Sequence, residues 1–310
     1  MRKLRLFLIV PALWAQSASA PDLEAQATAL RLLVEKAPKA ALQRKQIAIP
    51  GLEIGYPSAV TMDDSGAIYV LHRGEKADPV IVLDRGGKVV RSWGKALYKI
   101  PHSIRIDPQG NVWTVDSGSS MVLKFSPEGK KLLEISVGEQ PAGRGATNGT
   151  TDIAFGPNGR IYISDGYGNA RVLEYNGEGK RVRQWGSAGT GPGQFNQPHG
   201  IAVDERGVLY VADRNNARLQ RFDLDGNYLG EWTHLGKVTA VAFRDGALWV
   251  GSQLRNEPNE ADGWHFRIDR TTGKILEQTA SGRSHHVLNI NQRGELLAGA
   301  RPDIAWWFQK

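Results

Sequence analysis

Outside its first twenty residues the chain has no cluster of basic residues and no long apolar run, and it contains no cysteine anywhere. Without cysteine there can be no disulfide, no thiolate metal ligand and no cysteine nucleophile. Arg2, Lys3 and Arg5 supply three of the +7 net charges. The small positive net charge of the rest of the chain is not concentrated in a basic patch, so we expect no nucleic-acid partner. The apolar content of 41% is enough for a sizeable folded core.

The first twenty residues have the pattern of a secretory signal peptide. A basic start precedes the apolar run from Leu6 to Trp14, and small residues follow up to Ala20. The apolar run is too short for a stable helix across a bilayer, and no other segment approaches 18 apolar residues. We therefore expect an exported protein, periplasmic or secreted, with no stable membrane span.

Residues 21–44 differ from the rest of the chain because their apolar residues recur at helical spacing. This pattern predicts a short amphipathic helix that packs on the main domain. The alternative is a mobile N-terminal tail. The apolar positions are Leu23, Ala27, Leu30, Leu33 and Val34.

Residues 45–310 repeat one turn-rich unit six times. Each unit has an apolar strand, a turn that in most copies contains glycine, and a second strand that usually carries an aromatic residue. A period of about 40–50 residues with short strands is typical of a β-propeller, in which stacked units bury each other's apolar faces. We predict an all-β, six-bladed propeller. The copies read YPSAVTMDDSGAIYV, IPHSIRIDPQGNVWTV, GTTDIAFGPNGRIYIS, QPHGIAVDERGVLYVA, KVTAVAFRDGALWVG and SHHVLNINQRGELLAG.

The sixth unit ends at Lys310, after what should be its third strand. Its outer strand has to come from elsewhere in the chain. Residues 45–50 (KQIAIP) precede the first unit and alternate like a strand. We therefore expect this segment to pair with the last blade and close the ring.

Three histidines recur at one position of alternate blades. When the units are aligned on the apolar residue of the first strand, the position two residues earlier is His102, His199 or His285 in blades two, four and six. First strands line the axial channel of a propeller, so these side chains should converge at about 120° from one another. Three imidazoles with an open fourth position suit Zn²⁺, although other divalent metals also accept imidazole. The alternative is that they are ordinary hydrogen-bonded channel residues.

At His286, strand alternation predicts a side chain that points the opposite way from that of His285. Blades one, three and five have a hydroxyl at the channel position: Ser58, Thr151 and Thr239.

Several longer motifs carry a resemblance to a known family. They are HRG at residues 72–74, PHSIRIDPQGNVWTVD, SDGYGNARVLEY, GPGQFNQPHGIAV and VADRNNARLQRF. In this order they resemble the peptidyl-α-hydroxyglycine α-amidating lyases, whose propellers are built from NHL repeats, over about residues 50–300.

The resemblance implies a zinc ion held by His102, His199 and His285, with Tyr167, Arg73 and Arg214 as catalytic residues. It implies cleavage of a peptide or small molecule with a C-terminal α-hydroxyglycine into an amide and glyoxylate. Separately, we expect a monomer. Tyr167 would take the hydroxyl proton, its phenolate favoured by the neighbouring arginine charge, and the arginines would hold the carboxylate.

One departure from the family pattern concerns calcium. The resemblance implies a structural calcium held by an aspartate directly after the third histidine, but this chain has His286 there. The sequence therefore leaves open whether calcium binds.

Two other functions stay open. One is a non-catalytic NHL-type binding propeller with a structural or vestigial metal site. The other is a lactonase-like hydrolase, which ranks last because those enzymes use an acidic calcium centre and the channel positions here are only Ser, Thr and His.

Overall fold

A computed structural model describes residues 23–138, 149–253, 263–282, 285–300 and 303–308. The predicted signal peptide at residues 1–20 lies outside these ranges. Within them, no helix is both long and apolar enough to cross a membrane.

The fold is a six-bladed β-propeller preceded by one helix, as predicted. Helix α1 (Leu23–Lys36) and strand β1 (Gln43–Gln46) come first. Blade one consists of β2 (Tyr56–Met62), β3 (Ile68–Arg73), β4 (Val80–Leu83) and β5 (Val89–Trp93). Blade two consists of β6 (Pro101–Ile106), β7 (Val112–Asp116), β8 (Met121–Phe125) and β9 (Lys131–Ser136). Blade three consists of β10 (Asp152–Phe155), β11 (Ile161–Asp165), β12 (Arg171–Tyr175) and β13 (Arg181–Trp185).

A short parallel pair, β14 (Ser187–Ala188) and β15 (Gln194–Phe195), connects blades three and four. Blade four consists of β16 (Pro198–Val203), β17 (Leu209–Asp213), a 3₁₀ turn (Arg214–Asn216), β18 (Arg218–Phe222) and β19 (Tyr228–Trp232). Blade five consists of β20 (Lys237–Arg244), β21 (Ala247–Gln253), β22 (Gly263–Ile268) and β23 (Ile275–Gly282). Blade six contains β24 (Val287–Ile290), β25 (Leu296–Ala300) and β26 (Asp303–Phe308).

The turn between the first two strands of a blade explains why the units recur so regularly. In blade two the Asp107 carboxylate accepts a hydrogen bond of 2.8 Å from the Asn111 N–H, and Gly110 has a φ of +84°. The aspartate holds the turn, and glycine tolerates the left-handed backbone. Asp63 and Asp204 start the same turn in blades one and four.

Neighbouring blades bury their apolar faces against each other. Tyr69 and Leu71 of blade one pack with Ile104 and Leu123 of blade two, for example, and all four are buried. The first strands of successive blades contact one another all the way around the axis. This arrangement puts the residues of these strands around the central channel.

The ring closes through the N-terminal strand, as predicted. Strand β1 pairs antiparallel with β26, with Gln43 opposite Phe308 and Gln46 opposite Ala305. The Ile47 N–H then donates to the Ile304 carbonyl at 2.8 Å. The strand begins two residues before the predicted boundary at residue 45.

The predicted leader forms helix α1, which packs on blades four and five. Leu30 and Val34 are buried in a cluster with Leu219 and Trp232. Leu33, which the spacing placed on the apolar face, is 40% exposed because its side chain points away from this cluster.

Candidate functional site

Two of the predicted histidines lie where the first strands of blades two and four bulge. In blade two, Pro101 pairs with Asp116 and Ser103 pairs with Val115, so His102 is the extra residue between them. His199 lies in the corresponding irregularity of β16. A bulge re-aims the side chain of the extra residue. Both imidazoles are fully buried, with their rings 5.0 Å apart.

The third histidine of the cluster is His286, and the expectation of His285 is wrong in position. One ligand atom from each of His102, His199 and His286 lies within 4.8 Å of the others. The His286 ring is 5.7 Å from that of His102 and 5.5 Å from that of His199.

The pairing of blade six explains the error. Leu288 pairs with Ala298, as Ile104 pairs with Thr114 in blade two. Leu288, and not Val287, is therefore the equivalent of Ile104, and the residue two positions earlier is His286. Alignment on the turn that follows the first strand would have given the correct register from the sequence. Ile104 lies three residues before the turn residue Asp107, and Leu288 lies three before Asn291.

His285 lies two residues before β24, and its ring packs in the core of the last two blades. Its ring is 5.1 Å from that of His265 and 5.5 Å from that of Trp307. Burial lowers the pKa of His285 to about 3 and that of His265 well below its usual value. Both imidazoles are therefore neutral, and both side chains belong to the core.

The chain fixes the ring orientation of the two strand histidines. Nδ1 of His102 donates to the Thr151 carbonyl at 2.6 Å, and Nδ1 of His199 donates to the Thr239 carbonyl at 2.7 Å. Each Nε2 is then unprotonated in the neutral ring. Such hydrogen bonds are typical of metal-ligating histidines, since they set both tautomer and orientation.

The Tyr167 side chain faces both of these unprotonated nitrogens. Its hydroxyl lies 2.9 Å from Nε2 of His102 and 3.1 Å from Nε2 of His199. One hydroxyl hydrogen can satisfy only one of two acceptors, so within the described part of the chain one lone pair remains without a donor. Burial lowers the pKa of His102 to about 4 and the pKa values of His199 and His286 well below normal. Neutral, converging imidazoles with a spare lone pair fit a divalent metal ion.

His286 is held differently, through Tyr56, a residue that we did not predict. The Tyr56 hydroxyl lies 3.3 Å from Nδ1 of His286, and the two rings meet edge to face at 6.3 Å. In the sequence, Tyr56 stands out only as an aromatic residue at the position where blades two and four have Ile100 and Gln197.

Both predicted arginines lie beside the cluster. Arg73, at the end of β3, donates from Nε to the Ser58 hydroxyl at 2.9 Å and lies 5.0 Å above the Tyr56 ring. Arg214 opens the 3₁₀ turn after β17. The charges of Arg73 and Arg214 both help to lower the pKa of His102, so the site is positive even without a metal.

For Tyr167 the balance of charge and burial differs from the expectation. The positive charges of Arg214 and Arg73 lower its pKa, but burial is the larger effect and the pKa is raised overall. The residues of the chain alone therefore keep the Tyr167 hydroxyl protonated at neutral pH.

The sequence left open whether calcium binds in the channel, and the groups next to Ile104 do not fit a calcium ion. The Asn289 amide donates to the Val60 and Ile104 carbonyls at 2.8 and 3.2 Å. The Arg105 guanidinium donates to the Leu288 carbonyl at 2.6 Å. Calcium needs six to eight oxygen ligands, and here hydrogen-bond donors already occupy these oxygens.

Comparisons with known proteins agree with this architecture. A family model described as a 6-bladed beta-propeller matches residues 151–293. The probable peptidyl-alpha-hydroxyglycine alpha-amidating lyase of Caenorhabditis elegans is 29% identical over 285 residues, which cover 80% of each chain. The chain is therefore similar to this lyase over most of its length. The peptidylglycine alpha-amidating monooxygenase of Rattus norvegicus is 29% identical over 304 residues, covering 84% of this chain.

The match spans only 31% of the length of the rat protein. Among solved structures, a gluconolactonase from Xanthomonas campestris has a TM-score of 0.64 at 13% identity, covering 88% of this chain and 92% of the other. Identity this low shows a shared fold and gives no support to lactonase chemistry here.

Proposed function

We propose that this protein is a metal-dependent lyase that cleaves a peptidyl or N-acyl α-hydroxyglycine into an amide and glyoxylate. The observation that carries the proposal is the convergence of three neutral imidazoles, one tyrosine hydroxyl and two arginines at one end of the channel. The lyases named among its relatives support it. The predicted signal peptide at residues 1–20 supports export of the mature chain.

His102, His199 and His286 would hold the metal, for which zinc is the best candidate because three imidazoles with an open position suit it. When bound, the ion would supply positive charge that lowers the pKa of a neighbouring hydroxyl group. The carbonyls of Thr151 and Thr239 keep the rings of His102 and His199 aimed at it.

Tyr167 would be the general base of the reaction. Without its own proton, its oxygen would take the proton of the substrate hydroxyl. The O–H electron pair then forms the aldehyde C=O bond of glyoxylate, and the C–N bond pair leaves with the amide nitrogen. Tyr167 returns the proton to that nitrogen, so no oxidant or reductant is needed.

Arg73 and Arg214 would hold the substrate carboxylate. Nε of Arg214 is buried and has no hydrogen-bond partner among the described residues. Nε of Arg73 already donates to the Ser58 hydroxyl and to the Pro101 carbonyl, and these bonds fix the direction of its guanidinium. A guanidinium binds a carboxylate through paired N–H groups, so these two side chains suit an anionic substrate end.

The substitution Tyr167→Phe tests the proposal. We expect it to lower glyoxylate release from α-hydroxyhippurate by about 10²- to 10⁴-fold, the usual contribution of a general base, while bound metal is retained. Tyr98→Phe is the matched control, since the Tyr98 hydroxyl bonds Thr114 and takes no part in the cluster.

Full activity in Tyr167→Phe would overturn the role of the tyrosine. A wild-type protein that holds metal by elemental analysis, yet releases no glyoxylate, would favour the non-catalytic binding propeller.

A further inference from the structure

His72 occupies a position that other blades give to an aspartate. The residue that pairs with the proline at the start of the first strand is His72 in blade one, Asp116 in blade two and Asp213 in blade four. In each blade this side chain accepts a hydrogen bond from the main-chain N–H two residues before that proline. The imidazole therefore replaces a carboxylate in the same bond. The three donors are Gly55 at 3.2 Å, Lys99 at 3.0 Å and Asn196 at 2.7 Å.

An imidazole can also donate a hydrogen bond, which a carboxylate cannot. Nε2 of His72 donates to the Asp78 carbonyl at 2.9 Å, in the loop between β3 and β4. Since Nδ1 accepts from Gly55, the neutral tautomer with its hydrogen on Nε2 makes both bonds. The ring is fully buried, and burial lowers its pKa, so it stays neutral at pH 7. His72 therefore connects the segment before blade one to the loop that follows Arg73.

The main chain of Arg73 is packed against the residues that His72 holds. A Cβ at Gly55 would collide with the Arg73 carbonyl oxygen, and a Cβ at Gly74 would lie 2.8 Å from Nδ1 of His72. Both positions therefore have to be glycine. Any movement of Gly55 or of the imidazole is transmitted directly to the Arg73 main chain.

The direction of the Arg73 side chain depends on this placement. Its Nε donates to the Ser58 hydroxyl at 2.9 Å and to the Pro101 carbonyl at 3.1 Å, and its guanidinium lies 5.0 Å from the centre of the Tyr56 ring. A main-chain shift of about 1 Å would lengthen such bonds beyond hydrogen-bonding distance. The guanidinium would then no longer be fixed beside the cluster.

We propose that His72 is a positioning residue, which holds the segments on both sides of Arg73 and so orients the guanidinium toward the substrate carboxylate. Neighbouring residues of a strand point to opposite faces, so the imidazole does not itself face the substrate. This inference rests on the proposed lyase function, to which it adds a residue outside the imidazole cluster.

Three substitutions test the two bonds separately. His72→Leu removes both, His72→Asn keeps an acceptor near the place of Nδ1, and His72→Gln keeps a donor near the place of Nε2. We expect His72→Leu to raise KM for α-hydroxyhippurate by about 10- to 100-fold, as a misplaced binding group does. kcat should change by less than about threefold, because Arg73 holds the carboxylate in the bound substrate and in the transition state alike. His72→Asn and His72→Gln should each recover part of the loss.

A merely structural role would give a different result. Partial unfolding lowers the amount of active enzyme, and therefore the apparent kcat, while KM stays the same. Asp84→Ala is the matched control, since Asp84 accepts from the N–H groups of Gly86 and Lys88 in the turn between β4 and β5 of the same blade. It should leave KM unchanged. Elemental analysis should find the same metal content in all these variants.

Anion binding separates this inference from the lyase proposal. If the wild type releases no glyoxylate, the lyase proposal fails, and calorimetry then compares hippurate with its uncharged amide. The wild type should prefer hippurate, and His72→Leu should lose the preference. In that case, no preference in the wild type, or a preference that His72→Leu retains, overturns the inference.

For an active wild type, an unchanged KM in His72→Leu, or a fall in kcat alone, overturns the inference. If His72→Leu does not fold, His72→Asn and His72→Gln carry the same comparison, because each lacks only one bond. An unchanged KM in both would then overturn it.

Discussion

At the residue scale, the three imidazoles of the cluster are not equivalent. His102 and His199 donate to main-chain carbonyls of the next blade, which fixes their tautomers. Nδ1 of His286 instead faces a hydroxyl, that of Tyr56, which can donate or accept. Nε2 of His286 is free for a metal only if Nδ1 keeps its hydrogen and donates it to Tyr56.

The assignment of the third ligand predicts opposite results for two adjacent histidines. His286→Ala should lose the bound metal, because two imidazoles and water hold zinc far more weakly than three. His285→Ala should keep it, since that ring lies in the core beside His265 and Trp307. Elemental analysis of the two purified variants checks this, and metal loss only in His285→Ala would reverse the assignment.

The role of Tyr56 gives a second prediction. Tyr56→Phe keeps the ring that lies under Arg73 and removes only the hydroxyl that orients His286. We expect zinc affinity to fall by about 10- to 100-fold, the usual effect of losing a partner of a metal ligand.

Competition with a chromogenic chelator measures this affinity, and Tyr98→Phe controls for the general loss of a tyrosine hydroxyl. Equal affinity in wild type and Tyr56→Phe would mean that the hydroxyl does not orient the ring.

At the scale of elements, one short strand holds the two ends of the chain together. Strand β1 pairs with β26 over four residue pairs, while its own side chains are exposed. Its contribution is therefore main-chain hydrogen bonding and the cover it gives to an otherwise open edge. Closure of the ring through the first strand also brings helix α1 onto blades four and five.

Deleting residues 40–50 tests this closure. We expect the cooperative thermal transition to be lost or shifted strongly downward, because β26 becomes an open edge and Ile47 leaves its cluster. Gln43→Ala, at an exposed position of the same strand, should change stability by no more than about 0.5 kcal/mol. An unchanged melting curve after the deletion would show that the ring does not depend on β1.

At the scale of the whole molecule, a buried ionic cluster on the axis connects all six blades. Arg105 of blade two binds Asp152 of blade three at 2.5 Å and the Val241 carbonyl of blade five at 3.2 Å. Asn289 of blade six bonds Arg105 and the Val60 carbonyl of blade one. The Ile201 N–H of blade four donates to Asp152 at 3.3 Å.

This cluster takes the place of a central cation, and it predicts a protein whose stability does not depend on calcium. EGTA should leave the melting temperature unchanged. Asp152→Ala should cost about 3–5 kcal/mol of unfolding free energy, because it leaves the Arg105 charge buried without a partner. Glu134→Ala breaks the exposed pair with Lys131 and should cost about 1 kcal/mol or less.

Denaturant unfolding with and without EGTA checks both expectations. A large loss of stability in EGTA that added Ca²⁺ restores and added Zn²⁺ does not would show that calcium binds elsewhere in the ring.

The sequence by itself determined the six-bladed ring and its closure by the N-terminal segment, because each follows from a local period or pattern. For the N-terminal helix it gave helical spacing but left a mobile tail as the alternative. It also placed histidines on alternate blades around one channel. Two of the three members of the cluster, His102 and His199, follow from that alignment.

Only the tertiary structure decided the rest. Whether His285 or His286 faces the channel depends on the pairing of Leu288 with Ala298, and a shift of one residue exchanges the two faces of a strand. Tyr56, Arg105 and Asn289 have no motif of their own, and they meet their partners only because distant blades converge on one axis. The raised pKa of Tyr167 likewise results from burial, and burial cannot be inferred from the order of charged residues along the chain.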